Sequence, residues 1–94
     1  MQVVGTKVVE AYARAHADAI SALVACFAIT KAAEWRSLIE VRRIYPATDF
    51  VKPYTVFNIR GNSYRLVTLI DYGLRLVRIC RVMTHAEYDK DKWK

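Results

Sequence analysis

The sequence predicts an α+β fold in which two or three N-terminal helices cover one face of a small, mostly antiparallel sheet, followed by a short C-terminal helix. Three observations predict it. Apolar residues recur at helical spacing in the first half, apolar and polar residues alternate around two turn signals in the second half, and THAEYD near the end begins a helix. A chain of 94 residues can bury one core, so we expect a single domain over residues 1–94.

The N-terminal half predicts a short strand followed by helices. Val3 and Val4 precede a glycine and predict an edge strand, and residues 7–15 are rich in small residues and predict a first helix. Asp18 is a typical N-cap for a second helix that runs to about residue 33. The apolar residues of this helix that are expected to face the sheet recur at i, i+3, i+4 and i+7 and are Ile20, Leu23, Val24 and Phe27.

A third helical stretch is predicted to end near Tyr45, because Pro46 disfavours the α region for the residue before it. Its apolar residues continue the helical spacing and are Trp35, Leu38 and Ile39. Thr48 and Asp49 are then expected to begin a loop into the sheet, where Pro53 keeps the strand entry irregular.

The first hairpin predicts a polar site on the sheet. Gly61-Asn62 lies between two alternating apolar segments and predicts a two-residue turn with a positive φ at its first position. Pairing outward from this turn sets Asn58 opposite Arg65. Because side chains alternate between the two faces of a strand, Asn58, Arg60 and Arg65 share one face and the apolar residues share the other. The apolar face can build a core, and the other face carries two guanidiniums and an amide.

A second turn, at Tyr72-Gly73, brings a third strand to the same sheet. Pairing outward from it sets Val67 opposite Arg78, so Arg78 joins the polar face. The same register places Arg75 and Arg81 on the core face, which is unfavourable for guanidinium groups. Either these side chains snorkel at the rim, or a β-bulge shifts the register.

The C-terminal helix brings two more functional side chains to this sheet. Thr84 and Glu87 have the spacing of a capping box, so a helix is expected to begin at His85. His85 and Tyr88 are three residues apart and lie on one helix face. A lone histidine is more often an ordinary surface residue, and Met83 and Tyr88 can form a hydrophobic staple. The polar residues on the neighbouring sheet face favour a site that includes His85.

The charge distribution indicates an anionic partner. Fifteen Lys and Arg against nine Asp and Glu give a net charge of +6, and nine of the basic and five of the acidic residues lie in residues 48–94. Nucleic acid is the first candidate, and an acidic protein would satisfy the same field. The N-terminus lacks the basic-then-apolar pattern of a signal peptide, and no run reaches the roughly 18 apolar residues of a membrane span. We therefore expect a cytoplasmic protein without a membrane segment.

The sequence lacks the residue patterns of several common catalytic and binding sites. The three glycines match neither a dinucleotide nor a Walker phosphate loop, no nucleophile elbow occurs, and the two cysteines lack zinc-site spacing, so no metal or cofactor is expected. The remaining Arg, Asn, His and Tyr residues suit RNA cleavage by the RNA's own 2′-hydroxyl. That reaction needs a base near the hydroxyl, an acid near the leaving 5′-oxygen and cations on the phosphorane. Composition alone does not decide between cleavage and simple binding.

Two strings resemble a known family. VFNIRGNSYRL at 56–66 and THAEYDK at 84–90 are similar to HigB-type toxins, messenger-RNA interferases of the RelE/ParE superfamily. Further similarity lies in VVG near the start, HADA at 16–19, AEW at 33–35 and YPATDFV at 45–51. The resemblance implies a compact α+β toxin of a type II toxin–antitoxin system, an endoribonuclease that cuts translated messenger RNA in the ribosomal A site without metal. It also implies an antitoxin of the HigA kind as partner.

The resemblance also assigns residues. The family's polar strand positions fall on Asn58, Asn62 and Arg65, and its C-terminal pair falls on His85 and Tyr88. His85 is then the candidate for proton transfer, Tyr88 positions substrate or shares that transfer, and Arg65 clamps the phosphate.

The remaining candidate residues have competing interpretations. Arg60, Arg78 and Lys52 are candidate auxiliary cations for RNA, and for the two arginines this role depends on the register alone. Asn58 has the alternative of a buried amide that serves the fold, and Asn62 the alternative of a turn residue.

Two other function classes stay open. One is a gyrase-inhibiting toxin of the ParE kind, which would leave His85, Tyr88 and Arg65 without a purpose. The other is a non-catalytic RNA-binding domain that an antitoxin sequesters.

Overall fold

A five-stranded mixed sheet organises the chain in the computed structural model, which describes residues 1–90. The strand order is β1-β5-β4-β3-β2, with β1 parallel to β5 and the other pairs antiparallel. The strands are β1 (Gln2–Val4), β2 (Asp49–Val51), β3 (Tyr54–Ile59), β4 (Tyr64–Asp71) and β5 (Leu76–Thr84). The predicted α+β class and the edge position of the first strand are confirmed. The segment after Thr48, which was expected to be a loop, forms β2 instead.

Helices cover one face of this sheet. They are α1 (Thr6–Ala13), α2 (Ile20–Ala32) and α3 (Leu38–Ile44), with a 3-10 turn at Ala17–Ala19. The C-terminal α4 (His85–Asp89) lies at the other face, where Tyr88 packs against Met83. The main core lies between α1, α2, α3 and the sheet, and it contains Leu23, Val41 and Phe57 among its most buried residues. Trp35 stacks on Phe57 with 6.1 Å between ring centroids, in the extended segment that separates α2 from α3.

The second helix buries a different set of residues from the one that its spacing predicted. Leu23, Cys26 and Thr30 are buried, whereas Val24 is 60% exposed and Ile20 is also exposed. Because α2 is apolar on nearly every side, its sequence could not indicate which side faces the sheet. The predicted inward positions of Ile20 and Val24 are therefore wrong.

The first hairpin has the predicted register. Ile59 pairs with Tyr64, and Asn58 pairs with Arg65. Gly61 has a φ of 62°, as its place in the turn requires, and Arg60 also has a positive φ of 52°. The amide of Ser63 donates to the carbonyl oxygen of Arg60 and closes the turn.

The second hairpin has a different register from the predicted one. The loop takes up residues 72–75 and ends with Arg75 at a φ of 55°, so the pairing begins at Asp71 and Leu76. A β-bulge between Val67 and Thr68 then shifts the register again, as one of the two sequence-based alternatives anticipated. Val67 lies opposite Arg81, and the predicted pairing of Val67 with Arg78 is wrong.

These two shifts remove the conflict over the arginines of this strand. Arg75 lies exposed in the loop, 4.0 Å from Glu34 between charged atoms. Arg81 lies opposite Val67, which belongs to the sheet face that α1, α2 and α3 leave open, so Arg81 does not point into the main core. We call this open face the polar face, although Val56, Val67 and Met83 form a small apolar cluster on it.

The helix start at the end of β5 is confirmed. The amide of Glu87 donates to Thr84 Oγ1 over 3.2 Å, and the amide of Thr84 donates to Glu87 Oε1 over 3.0 Å, which completes the capping box. These bonds hold the pKa of Glu87 below its usual range. The amide of His85 also donates to the carbonyl oxygen of Ser63, so α4 is attached to the turn of the first hairpin.

We expect Gly5→Ala to destabilise the fold more than Gly61→Ala. Both glycines have positive φ values, and a left-handed backbone costs an L-residue about 1–2 kcal/mol. A Cβ atom at Gly5 would also lie 2.6 Å from the carbonyl oxygen of Ile79, while a Cβ atom at Gly61 meets nothing within 4 Å. Chemical denaturation of both variants measures the difference, and equal losses of unfolding free energy would contradict the close approach of β1 and α1 to β5.

Candidate functional site

Arg65 occupies the centre of the candidate site. Its side chain is 7% exposed and donates four hydrogen bonds. One terminal nitrogen contacts the carbonyl oxygens of Asn62 and Tyr64, each at 3.2 Å. The other contacts Asn62 Oδ1 at 2.6 Å and His85 Nδ1 at 2.9 Å. These contacts bury the guanidinium between the hairpin turn and α4.

The contact with Arg65 fixes the hydrogen-bonding state of His85. A guanidinium has donors only, so His85 Nδ1 must accept from it and cannot carry a proton in this arrangement. The remaining ring proton of the neutral imidazole is then on Nε2, which lies 3.2 Å from Asp89 Oδ2 one helical turn later. The imidazole is therefore oriented from both sides, by a guanidinium on Nδ1 and a carboxylate on Nε2.

Tyr88 is held in the same way. Its hydroxyl donates to Asp49 Oδ2 over 2.5 Å, and its ring lies 5.5 Å from the Arg65 guanidinium carbon, a cation–π distance. The ring also packs against the apolar cluster of the polar face, which includes Met83. His85, Arg65 and Tyr88 are thus in one contiguous group, as the sequence predicted.

The two asparagines have different places in this group. Asn62 provides two of the acceptors for Arg65, and the positive φ values of its turn belong to Arg60 and Gly61 instead. Asn62 therefore positions the guanidinium, a role that turn chemistry did not predict. Asn58 lies opposite Arg65 in the sheet, and within residues 1–90 its side-chain amide makes no hydrogen bond. The alternative that Asn58 satisfies cross-strand groups is therefore not observed.

The auxiliary cations that the sequence proposed do not gather here. Arg60 forms an ion pair with Asp18 at 3.2 Å, beside the hairpin turn. Arg78 lies opposite Leu69, while Met83 lies opposite Arg65, which separates Arg78 from the site by about 16 Å along the strand at roughly 3.3 Å per residue.

Lys52 also lies away from the site. It is exposed in the turn before β3, at the far end of that strand from Asn58. By register, Arg81 is the cation of β5 that comes nearer to Arg65 along the polar face, and sequence reasoning missed it.

Sequence reasoning also missed three carboxylates. Asp89 lies four residues after His85, and that helical spacing was a usable signal. Asp49 reaches Tyr88 across 39 residues of sequence, through the pairing of β2 with β3. Asp18 was predicted to cap α2, but α2 has no side-chain cap.

Asp18 instead contacts two residues of the first hairpin, Tyr64 and Arg60. The hydroxyl of Tyr64 donates to Asp18 Oδ1 over 2.6 Å, and Arg60 pairs with the other carboxylate oxygen. The Tyr64 hydroxyl and the Arg60 charge hold the pKa of Asp18 below its usual range, and the Asp18 bond raises the pKa of Tyr64. Nearby, His16 stacks on Tyr12, and burial raises the pKa of Tyr12 to about 12.

We expect Asp18→Asn to lower the melting temperature at neutral pH and to have no effect in strong acid. A carboxyl group with a depressed folded pKa stabilises the fold above its unfolded pKa, near 3.9, and loses that contribution as the pH falls through the folded pKa. Asparagine still accepts from Tyr64 but carries no charge for Arg60. Melting curves of both proteins between pH 2 and 7 measure the difference, and a gap that persists below the folded pKa would contradict the ion pair.

Known proteins resemble this chain over most of the described fold. Residues 19–91 match the family model of HigB toxins, described as the RelE-like toxic component of a toxin–antitoxin system. The chain belongs to this family. The match includes Arg65, His85 and Tyr88, which we call the Arg65 group, so the candidate site lies within the part of the chain that matches the HigB family.

Curated HigB relatives are similar over a shorter stretch. The "mRNA interferase toxin HigB" of Escherichia coli strain K12 is 33% identical over 52 residues, which are 52% of this chain and 50% of the relative. An "mRNA interferase HigB" of Escherichia coli O157:H7 and one of Shigella flexneri match to the same extent. The alignment thus spans about half the length of these relatives.

Two further observations concern the described part of the chain. None of the helices within residues 1–90 has the length and apolar character needed to cross a bilayer. Over the same range, His, Cys, Asp and Glu side chains nowhere cluster in threes that could bind a metal ion.

Proposed function

We propose that this HigB-family chain is the toxin of a type II system and acts as a ribosome-dependent endoribonuclease that cuts translated messenger RNA in the A site. The observation that carries the proposal is the hydrogen bond between the buried Arg65 guanidinium and His85 Nδ1. A titratable ring held against a fixed cation on a basic sheet is what transesterification of a phosphodiester needs. The names of the relatives, which describe messenger-RNA interferases, support the same activity.

In the proposed reaction the substrate supplies its own nucleophile. The 2′-oxygen forms a bond to the adjacent phosphorus, the bond from phosphorus to the 5′-oxygen breaks, and the products are a 2′,3′-cyclic phosphate and a 5′-hydroxyl. One proton leaves the 2′-hydroxyl and one reaches the 5′-oxygen. The scheme needs no metal.

Arg65 and His85 are coupled in this scheme. While Arg65 donates to Nδ1, the lone pair of that nitrogen is occupied. A phosphate that accepts hydrogen bonds from the Arg65 fork would draw the guanidinium away from His85 and free Nδ1 to take a proton. Substrate binding would thus prepare the base. Tyr88, held by Asp49, would orient the phosphate or share the proton transfer.

The proposal includes the partners of such a toxin. The ribosome would position the messenger RNA, an antitoxin of the HigA kind would neutralise the toxin, and both would be met in the cytoplasm. Exposed cations such as Arg81 and Arg78 on the polar face would contact RNA or an acidic antitoxin.

The test is primer extension on cellular messages after brief induction of the protein, followed by cleavage assays with purified ribosomes. We expect cuts at codon boundaries in translated regions and cleavage of ribosome-bound but not free message. Double-strand breaks in DNA without message cleavage would identify a gyrase-inhibiting toxin instead. Growth arrest with intact messages and intact DNA would leave a non-catalytic RNA-binding role.

A further inference from the structure

Asp89 lies beside His85 at the end of α4, and it is not among the candidate residues that the sequence provided. Its Oδ2 atom is 3.2 Å from His85 Nε2, while the other ring nitrogen contacts Arg65. Because Nδ1 accepts from Arg65, Nε2 carries the proton of the neutral ring and donates to the carboxylate. The imidazole is thus held between a cation from β4 and an anion from α4.

The charge of Asp89 is unfavourable for the helix and for RNA binding. A negative charge in the last turn of a helix opposes the partial negative charge of the terminal carbonyl groups, and α4 itself contains no lysine or arginine to offset it. The same carboxylate repels the phosphates of any RNA that approaches the Arg65 group. The contact with His85 is the favourable interaction that this charge makes.

The Asp89 contact gains importance when RNA binds. Within residues 1–90, the charged groups in contact with the His85 ring are Arg65 and Asp89. In the proposed reaction a phosphate draws the guanidinium away from Nδ1, which leaves the ring with its Asp89 contact. The 2′-hydroxyl proton then goes to Nδ1, the Nε2 proton stays in place, and the ring becomes positively charged. Asp89 remains ionised throughout this step.

We propose that Asp89 is a positioning residue for the nuclease reaction, which keeps the ring proton on Nε2, directs Nδ1 toward the 2′-hydroxyl and stabilises the imidazolium that forms. The inference rests on the proposed function. An aspartate beside a catalytic histidine stabilises the imidazolium without taking the proton itself. The His85 and Asp89 side chains are 43% and 59% exposed, so water screens the pair and its effect is smaller than that of a buried pair.

The first test removes the charge and keeps the acceptor. Asp89→Asn can still accept from Nε2 through its side-chain oxygen, but it provides no counter-ion for the imidazolium. Because the ring then gains its proton at a lower pH, the acidic limb of the kcat pH profile should move down by roughly half a pH unit. On the plateau kcat should fall about 3-fold because the base is weaker, while KM stays the same or falls. An acidic limb that coincides with that of the wild type would overturn the assignment.

Melting temperature separates this role from a structural one. Because the Asp89 charge is unfavourable at the end of α4, Asp89→Asn should melt at the same or a slightly higher temperature at neutral pH. Asp89→Glu keeps the charge and should keep the acidic limb near that of the wild type. A lower melting temperature of Asp89→Asn, together with an unmoved limb, would identify Asp89 as a structural residue and contradict the proposal.

Asp71→Asn is the matched control. Asp71 Oδ1 accepts from the amide of Leu74 over 2.9 Å, and Asp71 lies at the far end of β4 from Arg65, about 20 Å away at roughly 3.3 Å per residue. This variant removes the same charge from the protein but not from His85. We expect its acidic limb to coincide with that of the wild type. A shift equal to that of Asp89→Asn would mean that net charge moves the profile, and the proposal would fail.

An NMR titration of His85 in the protein without RNA keeps this inference distinct from the proposed function. The pH at which the ring is half-protonated should be lower in Asp89→Asn than in the wild type and in Asp71→Asn. If the wild type cleaves no message but this difference is observed, the nuclease proposal fails and the pairing of Asp89 with His85 remains. If the wild type cleaves messages and neither the titration nor the pH profile moves, the assignment of Asp89 fails and the nuclease proposal remains.

Discussion

Replacing His85 with glutamine is expected to slow message cleavage by about two to four orders of magnitude, the usual worth of a positioned acid or base. Glutamine can accept from Arg65 through its side-chain oxygen, and the capping box of Thr84 and Glu87 does not involve the residue 85 side chain. The fold and ribosome binding should therefore change little. Single-turnover cleavage of a programmed A-site codon, ribosome co-sedimentation and melting temperature measure the three properties separately.

The second histidine of the chain provides the matched control. His16 stacks on Tyr12 at a centroid distance of 4.1 Å and is not a hydrogen-bond partner of Arg65, so His16→Gln changes the same chemical group without removing a contact of Arg65. We expect cleavage by His16→Gln to stay near the wild-type rate. If His85→Gln cleaves at the wild-type rate and changes stability by less than about 1 kcal/mol, His85 is an ordinary helix-start residue. Catalysis would then depend on Arg65 and Tyr88.

The sequence predicted the first hairpin correctly and the second one incorrectly for a physical reason. The turn at Gly61 has a residue whose lack of a Cβ atom marks the positive φ, so both the turn and the register could be read locally. In the second hairpin the positive φ belongs to Arg75, and an arginine in the sequence does not predict a positive φ. The β-bulge after Val67 then absorbs one more residue. The role proposed for Arg78 depended on that register and changed with it.

The same distinction applies to the candidate site. The predicted group of His85, Tyr88 and Arg65 needed only a helix start, a helical spacing and one hairpin register, all of which are local. Asp49 reaches Tyr88 across 39 residues and Asp18 reaches Tyr64 across 46 residues, and no periodicity in the sequence encodes these contacts. The burial of Arg65 was missed for the same reason, because α4 covers it only after β5 has completed the sheet.

The burial of Arg65 changes what its substitution should do. Arg65→Ala removes four hydrogen bonds and leaves the buried carbonyl oxygen of Tyr64 without this donor, which costs about 1–3 kcal/mol when unsatisfied, whereas the exposed Asn62 can bond to water instead. We therefore expect Arg65→Ala to lose both cleavage and stability, measured by single-turnover kinetics and by denaturation. A loss of toxicity in this variant would not by itself distinguish a phosphate clamp from a structural residue.

Arg65→Lys makes that distinction. Lysine keeps the positive charge but presents one nitrogen in place of a planar fork, so it cannot contact Asn62 Oδ1 and His85 Nδ1 in the same geometry. We expect the protein to stay folded and cleavage to fall about 100-fold, the effect of a misplacement near 1 Å at the reacting groups. The loss should appear in kcat more than in KM, because Arg65 already contacts and positions His85 in the protein without bound RNA. Wild-type cleavage by a folded Arg65→Lys protein would show that charge alone is sufficient and that the fork does not orient the imidazole.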